Sequence, residues 1–380
     1  MPLSVGAHRR GRPTGLVRTG RAVGRHPTDT LKGRSRAPSR VYVLELAGED
    51  DAFAAAEAAA ASPAVEVVAP GLALADPLDP GRVRGLAYTR AASEVVGRAT
   101  VDVAGGARTG GLALLDAARE TLETAPLDRE GTVAVRARDV RGTAGVDARA
   151  AERALGDVLT DAGFGVDLER PDHELRALFA GDVAVLGWLA VESRRDFGDR
   201  APTDKPFFQP GSMEPLDARA ACNLAGAGPG TTVLDPFCGT GGLLVEAGLL
   251  GARVVGLDAQ ARMVRGARTN FDHYLAGDWA VAQADATRLP VLGRAEGAGP
   301  IDAVVADVPY GRQSAVAGRD VDALVAGALA EARRVADAAV VVADRDRSAE
   351  AEAGGWTVEA VFERRVHRSL TRFVHVLDGE

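Results

Sequence analysis

The segment that most narrows the fold of this chain is Val233-Leu234-Asp235-Pro236-Phe237-Cys238-Gly239-Thr240-Gly241-Gly242. It reads as a buried strand that runs into a glycine turn and then into a helix over Gly241–Leu250. Gly239 and Gly241 permit positive φ and close approach of a ligand to the backbone, and the helix start leaves N–H groups to meet it. Asp258 closes the next apolar strand, where an acid can accept from ribose hydroxyls. The pattern suits an adenosine-containing cofactor; the alternative is a tight strand–helix turn with no ligand. A P-loop is excluded, because no Lys-Ser/Thr pair follows the glycines.

The alternation continues downstream. Strands are expected at Thr232–Leu234, Val254–Leu257, Ala280–Ala284, Ala303–Ala306 and Ala339–Ala343, and helices at Gly241–Leu250, Ala259–Asn270 and Asp322–Val335. Apolar strands alternating with helices make a parallel, doubly wound sheet. Trp356–Val366 and Thr371–Leu377 look like a closing antiparallel hairpin. A second strand-end signal is Ala306-Asp307-Val308-Pro309-Tyr310-Gly311-Arg312, at the carboxyl edge where such sheets place their sites.

Upstream the texture is α+β. Val41–Leu46, Val65–Val68, Leu72–Ala75, Thr132–Arg138, Glu174–Phe179 and Val183–Val191 read as strands; Ala52–Ala61, Leu112–Thr124 and Arg149–Gly163 read as helices; Leu86–Val96 fits either. Arg194–Pro215 is polar and proline-rich and reads as a linker with a few fixed turns.

Composition excludes several classes. The chain is 46% hydrophobic and 26% charged, which rules out wholesale disorder. The longest apolar stretch, Val183–Val191, is too short to span a bilayer. Cys222 and Cys238 are the only cysteines, so neither a disulfide scaffold nor a Cys₄ zinc site is available, no metal is expected, and a reduced cytoplasmic setting fits. Net charge is −8, but residues 1–40 hold ten Lys/Arg against the single acid Asp29, which leaves 35 bases and 52 acids elsewhere, a net of −17. Lys32 and Lys205 are the only lysines. An Asp/Ala-rich, lysine-poor body points to a proteome adapted to high salt, and weakens the rule that nucleic-acid binders are basic overall. Residues 1–40 lack apolar period and an h-region, so they read as a disordered basic extension and not a signal peptide. A start near Val41 is preferred over a basic arm that binds RNA.

On these residues the chain resembles the class I S-adenosylmethionine-dependent methyltransferases. Asp235–Gly242 is similar to the first motif of their RNA and DNA amino-methylating branch. The resemblance implies S-adenosylmethionine as cofactor, with Asp235 near its methionine end, Gly239 and Gly241 lining it, Asp258 on the ribose and Asp285 beside the adenine amino group. Asp307-Val308-Pro309-Tyr310 stands where that branch carries Asp/Asn-Pro-Pro-Tyr, with Val308 replacing the first proline. The implied roles are catalytic. Asp307 and a carbonyl near Pro309 orient an exocyclic amine whose lone pair is delocalised into the base, and Tyr310 stacks on the ring. Val308→Pro is expected to be tolerated, since proline fixes φ without removing the acceptor.

Lys205-Pro206-Phe207-Phe208-Gln209-Pro210-Gly211-Ser212-Met213 resembles the segment that helps cover the cofactor in THUMP-containing guanine methyltransferases. Val166–Asp172 resembles the end of a THUMP domain, a small α+β RNA-binding module, with a looser likeness over Thr100–Val191. Across Val41–Glu380 the chain most resembles the archaeal THUMP enzymes that mono- and dimethylate the N2 amine of guanine 10 in tRNA. The implied fold class is α/β: a C-terminal Rossmann-like doubly wound methyltransferase sheet with a closing antiparallel hairpin, preceded by an α+β THUMP-like RNA-binding region. The implied division is an accessory N-terminal domain over 41–99, a THUMP-like domain over 100–191, a linker over 192–215 and the methyltransferase domain over 216–380. The implied partner is tRNA, with no DNA and no membrane, and Arg136, Arg138, Arg141, Arg194 and Arg195 are candidate phosphate contacts. Alternatives are an adenine-N6 or other amino-methyltransferase on RNA or DNA, an rRNA guanine-N2 methyltransferase, and a non-catalytic RNA-binding protein that kept the fold. Intact Asp235, Gly239, Gly241, Asp307 and Tyr310 argue against the last.

Overall fold

The computed structural model describes residues 40–102, 107–291, 293, 301–309, 320–368 and 370–379. All but the last residue of the expected N-terminal extension therefore lies outside the described residues.

Two sheets build the chain. The first takes β1 (Tyr42–Leu46), β2 (Val65–Ala69), β3 (Leu72–Ala75), β4 (Thr89–Thr100), β5 (Thr132–Asp139), β6 (Gly165–Val166), β7 (His173–Ala180) and β8 (Val183–Glu192) in the order β2-β3-β1-β4-β8-β7-β5-β6. Helices α1 (Asp51–Ala58), α2 (Pro80–Val83), α3 (Ala107–Thr124) and α4 (Ala148–Asp161) connect them. Asp50 and Asp147 start α1 and α4 by accepting from Phe53 N and Ala150 N. The ambiguous Leu86–Val96 stretch becomes strand from Thr89, which suits its β-branched Thr89, Val95 and Val96. Because β4 pairs with both β1 and β8, the sheet is continuous across residue 99.

The second sheet contains β9 (Thr232–Asp235), β10 (Arg253–Asp258), β11 (Trp279–Gln283), β12 (Ala303–Asp307), β13 (Ala338–Ala343), β14 (Thr357–His367) and β15 (Leu370–Asp378), in the order β11-β10-β9-β12-β13-β15-β14. The first five are mutually parallel; β15 runs antiparallel to β13 and closes with β14 as a hairpin. Helices α5 (Pro215–Leu224), α6 (Gly242–Leu249), α7 (Ala261–Tyr274), α8 (Val321–Val335) and α9 (Ser348–Ala353) cover it. Successive strand residues enter opposite cores. Val233, Val305 and Val340 pack with α5 and α6, whereas Leu234, Val304 and Val341 pack with Val325, Leu329 and Trp356. Burial on both faces explains why these strands read as uninterrupted apolar runs. The order reverses between β9 and β12, a switch point of the kind at whose carboxyl edge doubly wound sheets place their ligands.

The expected linker is packed rather than free. It forms short 3₁₀ turns at Phe197–Arg200 and Pro202–Asp204, and buried Arg200 donates to Glu246 at 2.8 Å. A single core joins Phe53 and Leu86 of the first sheet's region to Ala221 and Val245 of the second. Inside it, fully buried Glu57 accepts from Ala87 N, Tyr88 N and Asn223 Nδ2, each at 2.6 Å. The Arg364 guanidinium on β14 lies 4.4 Å from the Phe53 ring centroid and 4.8 Å from that of Tyr88, whose hydroxyl donates to Asp217. Among the described residues no helix is long and apolar enough to cross a membrane.

Glu57 thus satisfies donors from both halves. Glu57→Ala leaves two buried backbone N–H groups without an acceptor and Asn223 Nδ2 with Gly85 O alone, and should cost about 3–5 kcal/mol by urea unfolding, with Glu57→Gln milder. A loss below about 1 kcal/mol for Glu57→Ala would show that water or repacking replaces it.

Candidate active site

Four neighbouring parallel strands end in a row of acids. Asp258 ends β10, Asp235 ends β9, Asp307 ends β12, and Asp285 follows β11. Adjacent strands lie about 4.8 Å apart, so charges on neighbouring ends interact. Asp235, 2% exposed, accepts from Phe237 N at 2.9 Å. Burial pushes its carboxyl well above the usual carboxylate range, and the charges of Asp307 and Asp258 add to the effect. Asp258 is raised by burial too, opposed by bonds from Gln260 N at 2.8 Å and Gly239 N at 3.0 Å. Each of its oxygens keeps a second lone pair for a ligand. Asp285, half-buried, accepts from Thr287 N and Thr287 Oγ1.

Asp307 stands across the switch point from Asp235. Burial pushes its carboxyl up to about 7, with the Arg372 guanidinium opposing. Its Oδ2 lies 3.7 Å from Arg372 Nη2, while its Oδ1 is buried without a hydrogen-bond partner among the described residues. Val308, 3% exposed, donates its backbone N–H to Val342 O at 2.9 Å. A proline at 308 has no such donor, so the expectation that Val308→Pro is harmless does not hold. Pro309 follows, half-buried, and Tyr310 lies outside the described residues.

The glycine turn folds over the end of β10 because Cys238 N donates to Leu257 O at 2.8 Å. Gly239 and Gly241 take φ of +50° and +80°. Their freedom serves different ends. A Cβ on Gly241 would fall 2.4 Å from the Phe271 ring, whereas one on Gly239 meets nothing nearer than Phe237 O at 3.8 Å, so that face is open to a ligand. Helix α6 then begins without a side-chain cap.

The Lys205–Met213 strap borders the turn. Fully buried Asn270 on α7 accepts from Phe207 N at 2.9 Å and donates to Phe207 O and Thr240 O at 2.9 and 2.8 Å. Arg372 Nη2 reaches Gly211 O at 3.5 Å and so links the strap to Asp307. Asn270 and Arg372 escaped sequence reasoning. Neither sits in a motif, and only helix packing and the β13–β15 register bring them to the site.

Burial raises the carboxyls of Asp235, Asp258 and Asp307, the charges of Asp307 and Asp258 add to the effect at Asp235, and a ligand of positive charge relieves them. S-adenosylmethionine carries sulfonium and ammonium charges, and the open face at Gly239 leaves room for it. The residues therefore fit that cofactor.

Of the candidate RNA-contacting arginines, Arg136, Arg138 and Arg141 lie against Glu174, Glu45 and Asp51 at 3.9, 3.2 and 2.6 Å. Arg194 and Arg195 instead join exposed Arg84 and Arg90: Arg194 N donates to Arg84 O at 3.0 Å, and Ser193 N to Arg90 O at 2.8 Å. Arg90 and Arg195 repel each other. Among the described residues none of these four forms an ion pair.

Known proteins place this architecture. The family model UPF0020, RMKL-like methyltransferase domain, matches residues 202–373. The tRNA (guanine(10)-N2)-dimethyltransferase of Methanothermobacter thermautotrophicus is 37% identical over 77% of this chain and 83% of its own length. That of Pyrococcus abyssi is 33% identical over 66% and 75%. Among solved structures, TrmN from Thermus thermophilus aligns with a TM-score of 0.47 and 23% identity, covering 89% of this chain and 99% of that one. With two such relatives matched along most of their length, the chain belongs to the tRNA (guanine(10)-N2)-dimethyltransferase family.

Proposed function

We propose that this chain transfers methyl groups from S-adenosylmethionine to the exocyclic N2 amine of guanine 10 in tRNA, giving N2-methyl- and N2,N2-dimethylguanosine. The observation that carries the reading is Asp307 Oδ1, a buried acceptor with no donor among the described residues, at the end of β12 and across the switch point from Asp235.

The bound cofactor supplies the electrophilic methyl group. Asp235, Gly239, Gly241, Asp258 and Asp285 hold it along the carboxyl edge. Asp307 Oδ1 accepts one N–H of the guanine amine, and the carbonyl of Pro309 accepts the other. Together they draw the lone pair out of conjugation and stabilise the charge that develops on nitrogen. A carboxylate poised near 7 is suited to receive the proton that the methylated amine sheds. Tyr310 stacks on the base. The same groups leave a second methylation open, since a monomethylated amine still offers one N–H to Asp307.

Residues 100–191 act as a THUMP-like module, with 41–99 accessory to it, 192–215 joining them to the catalytic part and 216–380 carrying the chemistry. The unpaired cluster of Arg84, Arg90, Arg194 and Arg195 contacts RNA phosphates. Four guanidinium groups without acid partners among the described residues stand out in a body of net charge −17. The acid excess fits a high-salt cytoplasm, where self-repulsion is screened.

Mass spectrometry of nucleosides from cells that lack the gene should show loss of N2,N2-dimethylguanosine at tRNA position 10; its persistence would contradict the substrate. In single-turnover assays Asp307→Asn should lose roughly 10²–10⁴ in rate. The carboxylate form is the active one, so the wild-type kcat/KM should fall as pH drops through about 7, and the variant should lack that limb. Replacing Arg90 and Arg194 by Ser should lower the salt slope of tRNA binding by about 2 while cofactor affinity stays unchanged. An unchanged slope would place the RNA elsewhere.

A further inference from the structure

We propose that Lys205 and the first turn of α6 form an anion site that takes the carboxylate at the methionine end of the cofactor. This rests on the cofactor reading above and assigns a residue to one of its charges.

Lys205 is one of two lysines in a chain that otherwise uses arginine. It is 7% exposed, yet among the described residues its ammonium makes no hydrogen bond or ion pair. Nζ stands 3.1 Å from where a Cβ on Gly242 would lie, at the start of α6. That helix start has no side-chain cap and carries the positive end of the helix dipole. A buried cation beside a helix start that lacks a side-chain cap is, among the described residues, a set of donors without an acceptor.

Nearby acids do not fill the gap. Glu246, in the same helix, is held by Arg200 Nε at 2.8 Å and Arg219 Nη2 at 2.6 Å. Asp196 is held by Arg200 Nη2 at 3.1 Å. Glu214 attracts the ammonium only from an exposed position. Three cations, Lys205, Arg200 and Arg219, thus share two committed carboxylates, and the cluster is short of one negative charge. Burial holds the Lys205 ammonium below its ordinary pKa, as an ion awaiting its counter-ion would be.

The missing anion lies beside the Gly239–Gly241 turn, where the amino-acid end of the cofactor runs. The two charges of that end are then sorted: the ammonium goes to the acidic side at Asp235 and the carboxylate to Lys205. Asn270 fixes the strap two residues on, at Phe207, so the lysine is held in place before the ligand arrives.

Calorimetry on the full chain with two ligands tests this. S-adenosylhomocysteine has the carboxylate; 5′-methylthioadenosine lacks the whole amino-acid end. Lys205→Met should weaken S-adenosylhomocysteine by about 10–100-fold and leave 5′-methylthioadenosine within about twofold, which also shows that the variant is folded. Lys205→Arg should retain most of the affinity for both. Equal losses for the two ligands, or no loss for either, would overturn the proposal. A loss confined to tRNA affinity would overturn it too, by giving the site to an RNA phosphate. Failure of the wild-type chain to bind either ligand would sink the cofactor reading itself, a result distinct from all of these.

Discussion

Burial of carboxylates along one sheet edge is the constraint around which the catalytic half is arranged. A doubly wound parallel sheet brings its carboxyl edge to one crevice, and here adjacent strands β10, β9 and β12 each end in aspartate. Such a row is costly in an empty low-dielectric pocket. The protein limits that cost in two ways. Backbone N–H groups of Phe237, Gly239 and Gln260 bind Asp235 and Asp258, and Arg372 faces Asp307. What remains is an unbalanced negative site, matched to a cationic ligand and to an amine that gains positive charge as it reacts.

The two sheets are not independent beads. Glu57 ties α1 and the approach to β4 to Asn223 on α5, and α5 packs directly on α6, the helix that follows the glycine turn. Arg364, from the closing hairpin, sits between Phe53 and Tyr88 of the other half. One face of the catalytic sheet therefore rests on the first sheet's helix, while its carboxyl edge holds the site.

Local signals carried most of the fold into the sequence. The glycine turn, the apolar strands and the closing hairpin were legible because each depends on short spacing and on burial of both strand faces. Pairings between distant residues were not. Nothing near Arg138 or Arg141 says that Glu45 and Asp51 lie opposite, so both looked available for RNA. Nothing near Val308 says that its N–H serves β13, so proline looked harmless there. Asn270 and Arg372 are invisible for the same reason. Arg194–Pro215 read as a linker because its prolines and charges imitate one, while burial of Arg200 and Lys205 depends on acids and a helix start supplied by α6.

The most direct test of the central claim is the proton balance of cofactor binding. Calorimetry near pH 7 in buffers of different ionisation enthalpy counts the protons exchanged. A sulfonium placed against partly protonated carboxylates should expel protons, because a nearby cation lowers their pKa values. S-adenosylmethionine should therefore release more protons than S-adenosylhomocysteine, which lacks that charge. Equal proton counts for the two ligands, or proton uptake with S-adenosylmethionine, would contradict an acidic crevice built for a cation.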